Sequence, residues 1–214
     1  MKSIFENYLK KIILLCLMSV IVVSCNTQRI ADYNNPQKAL VVMDMQLDFL
    51  GENPKMPIEN QIEDLIKNAN DIIKDFHNKC YEIIYIRSVF SKYDIANFFR
   101  NKAAVEGTTG IEIDPRIHIV SENIFDKKRS SAFSNKDFDD YLINNQVNEL
   151  YILGLMAEGC VYKTAISGLN REYVVHFIEN AVGIWKMKNF EPIKEKLNKK
   201  GANIIKYETR NTSR

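Results

Sequence analysis

Leu153-Gly154-Leu155-Met156-Ala157-Glu158-Gly159-Cys160-Val161 is the stretch from which the fold of this chain is read. An apolar run from Leu150 to Leu155 breaks off into small and polar residues. A thiol follows at once, and helical spacing then starts at Val161, Thr164, Ala165 and Gly168. This is the pattern of a buried strand, a sharp turn and a helix whose first turn carries Cys160. A helix N-terminus offers unpaired N–H groups and a partial positive charge. Both favour the reactive thiolate and can stabilise an oxyanion beside the sulfur. A free cysteine is equally at home as a small buried hydrophobe. Catalysis therefore requires a base and a cation from elsewhere in the chain.

Working outward, Ala39-Leu40-Val41-Val42-Met43 reads as a strand buried on both faces, ending in Asp44-Met45-Gln46-Leu47-Asp48-Phe49. Ile62, Leu65, Ile66, Ala69, Ile72, Ile73 and Phe76 repeat at helical spacing and predict a helix with one core-facing stripe. Ile83–Ile86 is the next strand, leading into Arg87-Ser88. Residues 89–120 lack clean periodicity, and a loop of that length tends to be a lid or a binding wall. Its Gly107-Thr108-Thr109-Gly110 is no phosphate loop, because no Lys-Ser or Lys-Thr follows in place.

Asn123–Phe125 is a short strand before Lys127-Lys128-Arg129-Ser130-Ser131-Ala132-Phe133, and a helix follows with Phe138, Tyr141, Leu142 and Ile143. After the Cys160 unit come a strand over Tyr173–Ile178, then Ala181-Val182-Gly183 and the only tryptophan, Trp185. A helix from about Pro192 to Asn198 and a last strand over Asn203–Tyr207 close the domain. Strands alternating with helices six times predict an α/β fold, a three-layer α/β/α sandwich around a six-stranded parallel sheet, Rossmann-like. Ligands bind such sheets beyond the carboxyl ends of the strands. Asp44, the Lys127 region and Cys160 all follow such ends, so three distant segments are expected to meet at one edge. Acid, lysine and cysteine have a joint chemistry: the ammonium lowers the thiol pKa, and the carboxylate moves the thiol proton to a leaving group.

The N-terminus is a different kind of sequence. Lys2, Lys10 and Lys11 precede an almost wholly apolar run from Ile12 to Val23, too short to span a bilayer comfortably as a helix of about 20 residues. Val22-Val23-Ser24-Cys25 then places a small residue before a cysteine. This resembles a bacterial lipoprotein signal peptide over 1–24, with cleavage before Cys25 and lipidation of its sulfur; an uncleaved anchor or an ordinary signal peptide are the alternatives. Residues 25–37 read as lipidated cysteine and tether, 38–209 as the folded domain and 210–214 as a tail. The 214-residue chain carries a formal charge of +2; removing Lys2, Lys10, Lys11 and Glu6 leaves 26 basic and 26 acidic residues. A neutral domain gives no reason to expect nucleic acid as a partner. Only Cys80 and Cys160 then remain, which is no disulfide framework.

With these pieces assembled, the chain resembles the isochorismatase-like cysteine hydrolases, the superfamily of nicotinamidases and N-carbamoylsarcosine amidohydrolases. The likeness spans roughly residues 38 to 207. It rests on Val42 to Phe49, on Gly107-Thr108-Thr109-Gly110, on Lys127 four residues before Ser131-Ala132-Phe133, and on Gly154 with Gly159-Cys160-Val161 and Thr164-Ala165. The resemblance implies that Asp44 is the general base and acid, Lys127 the lysine and Cys160 the nucleophile. It also implies a cis peptide at Leu155–Met156, with the backbone N–H groups of Met156 and Cys160 as the oxyanion site. Phe49, Phe133, Leu155, Met156 and Trp185 are the expected pocket walls, with the core-aromatic reading open for Phe133 and Trp185; Gln46 is expected to hold the turn.

The implied substrate is a small-molecule amide or related C–N compound, cleaved through a thioester, without a cofactor. Nicotinamidases of the family carry an acid-and-histidine metal set after the second strand. Here Arg87-Ser88-Val89-Phe90-Ser91-Lys92-Tyr93-Asp94 has no histidine, so no metal is expected; His77, His118 and His176 read as structural or solvated. Ala157 stands where the family usually has threonine. A homo-oligomer is a family expectation. The competing classes are a catalytically silent, membrane-tethered binding protein, a vinyl ether hydrolase of the isochorismatase type, and a thiol-redox role for Cys80 and Cys160. The last is the weakest, because those cysteines fall at opposite edges of a parallel sheet, beyond the ~7 Å disulfide limit. The expected location is outside the cytoplasm, lipid-anchored to a bacterial membrane. Cys25→Ala is expected to abolish lipid labelling and move the protein from the membrane to the soluble fraction; an unchanged membrane fraction would refute the lipobox.

Overall fold

The computed structural model describes Ile30, residues 33–58 and residues 61–208. The readings for 1–24, Cys25, the start of the tether and the tail lie outside the described residues. Strands β1 (Gln37–Met43), β2 (Glu82–Ser88), β3 (Ile124–Lys127), β4 (Val147–Gly154), β5 (Val174–Val182) and β6 (Asn203–Ile205) form one sheet. Its order is β3-β2-β1-β4-β5-β6, and every pairing is parallel. Helices α1 (Leu47–Leu50), α2 (Ile62–Asn78), α3 (Lys136–Asn144), α4 (Tyr162–Leu169) and α5 (Phe190–Lys199) cover both faces. This is the expected three-layer α/β/α architecture.

Alternation along β1 sends successive side chains to opposite faces. Ala39, Val41 and Met43 join a core with Phe138 and Leu142 of α3, Ala165 of α4, and Ile193 and Leu197 of α5. Leu40 and Val42 join the other core, with Phe49 and Leu50 of α1 and Leu65, Ile66, Ile72, Ile73 and Phe76 of α2. A strand buried on both faces has no polar side to show, which is why its sequence is a continuous apolar run.

Two boundaries differ from the sequence reading in ways that matter. Strand β3 runs on to Lys127, because Arg87 and Ser88 of β2 pair with Asp126 and Lys127 in register. The lysine is therefore the last residue of a strand and not part of the following loop. The turn after β4 is also different: Ala157–Val161 forms a π-helical turn, in which the Val161 N–H reaches the Met156 carbonyl at 3.3 Å, and α4 begins only at Tyr162. Such turns recur at functional sites.

The long loop is pinned from below. Asp48, buried under it, accepts from the Ala104 N–H at 2.8 Å and pairs with Lys55 at 3.0 Å. A Cβ on Gly110 would fall 2.1 Å from the Asp48 carboxyl carbon, so glycine there lets the loop close over the acid. Backbone bonds from Leu47 N–H to Glu112 O and from Asp114 N–H to Met45 O complete the seam, at 2.9 Å each. The outer surface of this loop leaves Tyr93, Ile95, Phe98 and Phe99 exposed.

Gly154 ends β4 with φ +106°, and a Cβ there would stand 2.1 Å from the Met43 carbonyl oxygen. Only glycine combines that dihedral with so close an approach of β4 to β1. Gly154→Ala is expected to cost about 3 kcal/mol in urea denaturation, through backbone strain and a clash with main chain that has nowhere to move.

Candidate active site

The order 3-2-1-4-5-6 reverses direction between β1 and β4, where connections leave the sheet to opposite sides and a crevice opens. The chemistry-bearing residues gather there. Asp44 follows β1, Ser88 ends β2, Lys127 ends β3, and Cys160 follows β4. Asp44 sits in the left-handed region with φ 53°, which aspartate tolerates better than most residues. Its N–H bonds Ile86 O and its carbonyl accepts from Gln46 N–H, each at 2.8 Å, so the turn is held from both sides.

Lys127 Nζ is the hub. It pairs with Asp44 Oδ2 at 3.0 Å, donates to Ser88 Oγ at 2.5 Å and donates to Cys160 Sγ at 3.1 Å. Ser88 Oγ in turn donates to Asp44 Oδ1 at 3.0 Å. The side chains of Lys127 and Asp44 are 0% and 3% exposed, so this is a fully desolvated ion pair. Burial alone would depress the pKa of the Lys127 ammonium, but the Asp44 carboxylate, and the Cys160 sulfur that accepts its hydrogen bond, prevail and hold it above its usual value.

Cys160 behaves differently from the sequence expectation. Burial, and then the Asp44 carboxylate to which the thiol hydrogen-bonds, push its pKa up to about 12 against the opposing pull of Lys127. The reason is electrostatic: Asp44 has already neutralised Lys127, so ionising the sulfur would leave a net negative charge in a dry site. At rest the Cys160 sulfur is a thiol.

Two residues beside this cluster are structural. Gln46 Nε2 donates to Ser88 O at 2.9 Å and Ile111 O at 2.8 Å, while its Oε1 accepts from the Ser88 N–H at 2.8 Å. It locks β2 to the turn after β1 and to the long loop. Thr164 Oγ1 accepts from the Ala132 N–H at 3.0 Å, which docks the segment after Lys127 onto the helix after Cys160.

A cavity of about 410 Å³ lies over this cluster, within the range of small-molecule sites. Phe49, Leu155 and Met156 line it, together with Asp44 and Cys160. The Leu155–Met156 peptide is cis, and the Met156 N–H has no hydrogen-bond partner among the described residues. Phe133 does not line the cavity. Docking of Ala132 on Thr164 turns its ring into the core, 5.1 Å from Phe138 and 5.8 Å from Tyr173. Trp185 does not line it either: half-exposed, it has its backbone N–H held by Glu158 at 3.1 Å on the outer side of the π-helical turn.

Ser88, Met56, Phe90, Asp94, Arg100, Lys128, Arg129, Ser130 and Gly159 complete the lining. Proximity to a motif was the only sequence signal for these residues, and three of them, Phe90, Asp94 and Arg100, come from the aperiodic loop. Among the described residues no three His, Cys, Asp or Glu side chains are grouped to hold a metal ion. His77 and His118 are exposed, and His176 stacks on Tyr151 at 4.2 Å beside Glu149. The donor set among the described residues does not fit a metal.

The isochorismatase domain family matches residues 38–208. No curated protein matches the chain significantly. Among solved structures, an isochorismatase-like hydrolase from Alkaliphilus metalliredigens is 23% identical with a TM-score of 0.73, over 79% of this chain and 94% of that one. A pyrazinamidase of Pyrococcus horikoshii, in complex with zinc, is 27% identical with a TM-score of 0.68, over 80% and 100%. An N-carbamoylsarcosine amidase from Thermoplasma acidophilum is 23% identical with a TM-score of 0.68, over 79% and 96%. With the family match running from the first strand through the last, this chain belongs to the isochorismatase family of hydrolases.

Proposed function

We propose that the protein is a cysteine-dependent hydrolase of a small-molecule amide or related C–N bond, acting through Asp44, Lys127 and Cys160 and a thioester intermediate. The observation that carries this reading is the meeting of the Asp44 carboxylate and the Cys160 sulfur at the Lys127 ammonium, beneath a cavity that Asp44 and Cys160 line. Relatives described as a pyrazinamidase and a carbamoylsarcosine amidase support the choice of C–N bonds.

The charge count explains how a thiol with a raised pKa serves as nucleophile. At rest the buried cluster holds Asp44 and Lys127 and sums to zero. As the sulfur attacks the carbonyl carbon, its proton passes to the Asp44 carboxylate, and the sum is unchanged. Negative charge moves from carboxylate to sulfur and then to the carbonyl oxygen, with the Lys127 ammonium beside it throughout. The Met156 N–H, free of partners among the described residues, and the Cys160 N–H are the donors for that oxyanion.

Collapse of the tetrahedral intermediate returns the proton from Asp44 to the departing amine and leaves a thioester. Water, deprotonated by Asp44, then attacks the thioester, and the proton goes back to the thiol. Each transfer is short and none creates a net charge in the dry site.

The reading also places the domain on a lipid anchor at Cys25 outside the cytoplasm, on the strength of the apolar run and the Ser24-Cys25 step.

Asp44→Asn removes the proton acceptor, and a loss of about 10³-fold or more in kcat is expected in an ammonia-release assay over a panel of small amides, with the fold retained by circular dichroism. Near-normal turnover in that variant would sink the assignment. The same substitution gives a second prediction. Alkylation by iodoacetamide follows the thiolate fraction, so in the wild type the rate at Cys160 keeps climbing beyond about pH 10, where an ordinary thiol of pKa ~8.5 has levelled. In Asp44→Asn the raising influence is gone and Lys127 is left unneutralised, so the plateau moves to lower pH; a profile unmoved by the substitution contradicts the proposed coupling.

A further inference from the structure

The lining of the cavity includes an arginine whose hydrogen bonds are only partly used. Arg100 lies with its guanidinium carbon 3.8 Å from the centroid of the Phe90 ring, and Lys127 Nζ stands 5.9 Å from the same centroid. One aromatic ring therefore spans the distance between this arginine and the catalytic lysine. Arg100 Nη2 is committed to Asp94 Oδ2 at 2.6 Å and Asn97 Oδ1 at 2.7 Å. Asp94 is itself set by the Ala96 N–H at 2.9 Å, and Asn97 by Ser91 O at 2.8 Å. The guanidinium is thus held in one pose before any ligand arrives.

A guanidinium has five N–H donors in a rigid fork. Those on Nη1 have no acceptor among the described residues; Nε has none either, but it is closed off from solvent and so from a ligand in the cavity. The charge of the wall points to what the Nη1 donors would take. Setting aside Asp44, which Lys127 offsets, the lining has three cations, Arg100, Lys128 and Arg129, against the single acid Asp94. Lys128 and Arg129 are exposed at the mouth and form no ion pair among the described residues.

Resting on the amide-hydrolase reading above, we propose that the substrate carries a carboxylate a few bonds from its scissile C–N group, and that Arg100 receives it. A planar anion meets the free donors of a planar, permanently charged fork better than a neutral group does. Lys128 and Arg129 add a favourable field along the entry path. Phe49, Met56 and Leu155 accommodate a short apolar spacer between the two polar ends. Arg100 makes no contact with the reacting atoms, so it is a specificity residue and not a catalytic one.

The test uses two four-carbon aldehydes, succinic semialdehyde and butanal, which differ in the terminal carboxylate. Either one adds to the thiol: the S–C bond forms as the carbonyl π bond breaks, and the thiol proton ends on the new hydroxyl oxygen. Each is titrated against alkylation of Cys160 by iodoacetamide at pH 9, read by peptide mass spectrometry. Succinic semialdehyde is expected to protect at roughly tenfold lower concentration than butanal, the worth of one hydrogen bond to a charged group. That ratio is expected to collapse in Arg100→Gln and to return in part in Arg100→Lys.

A ratio near one in the wild type overturns the inference while leaving Cys160 as a nucleophile. Protection by neither aldehyde overturns both readings. A ratio that survives in Arg100→Gln removes Arg100 from the role. The wild-type ratio decides whether the site takes a carboxylate whatever the variants do, and the Arg100 variants, checked for fold by circular dichroism, decide whether Arg100 receives it.

Discussion

The site depends on a buried ion pair between Asp44 and Lys127. Two charges taken out of water cost several kcal/mol each, and their mutual attraction repays this only when geometry and further hydrogen bonds are good. Here they are: Ser88 bridges the partners, accepting from the ammonium and donating to the carboxylate. Ser88 is itself immobilised by the paired bonds between its backbone and the Gln46 amide. Ion pairs of this kind are a poor source of stability, since an apolar pair often does as well. Their retention in a dry site follows from what the pair does to a third group, the thiol.

That influence runs against the usual picture of an activated cysteine. A lysine beside a sulfur is expected to generate thiolate. In this protein the lysine is already satisfied by an aspartate, and the thiol keeps its proton. In the proposed reaction this arrangement stores a neutral, undissociated nucleophile next to its own base, and ionisation is deferred until a substrate carbonyl is present to take the charge. The two aspects are one constraint: a desolvated cluster tolerates transfer of a proton within it far better than a change in its total charge.

The surrounding motif residues divide between chemistry and construction. Gln46, Asp48, Gly110 and Thr164 belong to the same short sequence signatures as the triad, but each ties one segment to another: strand turn to loop, loop to helix, lysine segment to cysteine helix. Four strands deliver four functional groups, so an error in any one crossover would displace a reacting atom. The pins convert a topological coincidence at the switch point into fixed distances near 3 Å.

How much of this was legible beforehand follows from the range of the interactions. Strands buried on both faces, the helix stripe from Ile62 to Phe76 and the strand–turn–helix around Cys160 are local patterns, imposed by burial and backbone geometry, and six alternations of them leave little choice but a parallel sheet. The topology then predicts that Asp44, Lys127 and Cys160 share an edge, and the structure places them in contact. What sequence alone did not decide depends on partners distant in the chain. Phe133 turns to the core because Thr164 captures Ala132; Ser88 joins the cluster because β2 pairs with β3; Phe90 and Arg100 reach the cavity because Asp48 and Gln46 hold an aperiodic loop in place. The protonation state of Cys160 was inaccessible for the same reason. A pKa is set by every charge and every lost water around the group, and only the folded chain says which charges have already been neutralised by one another.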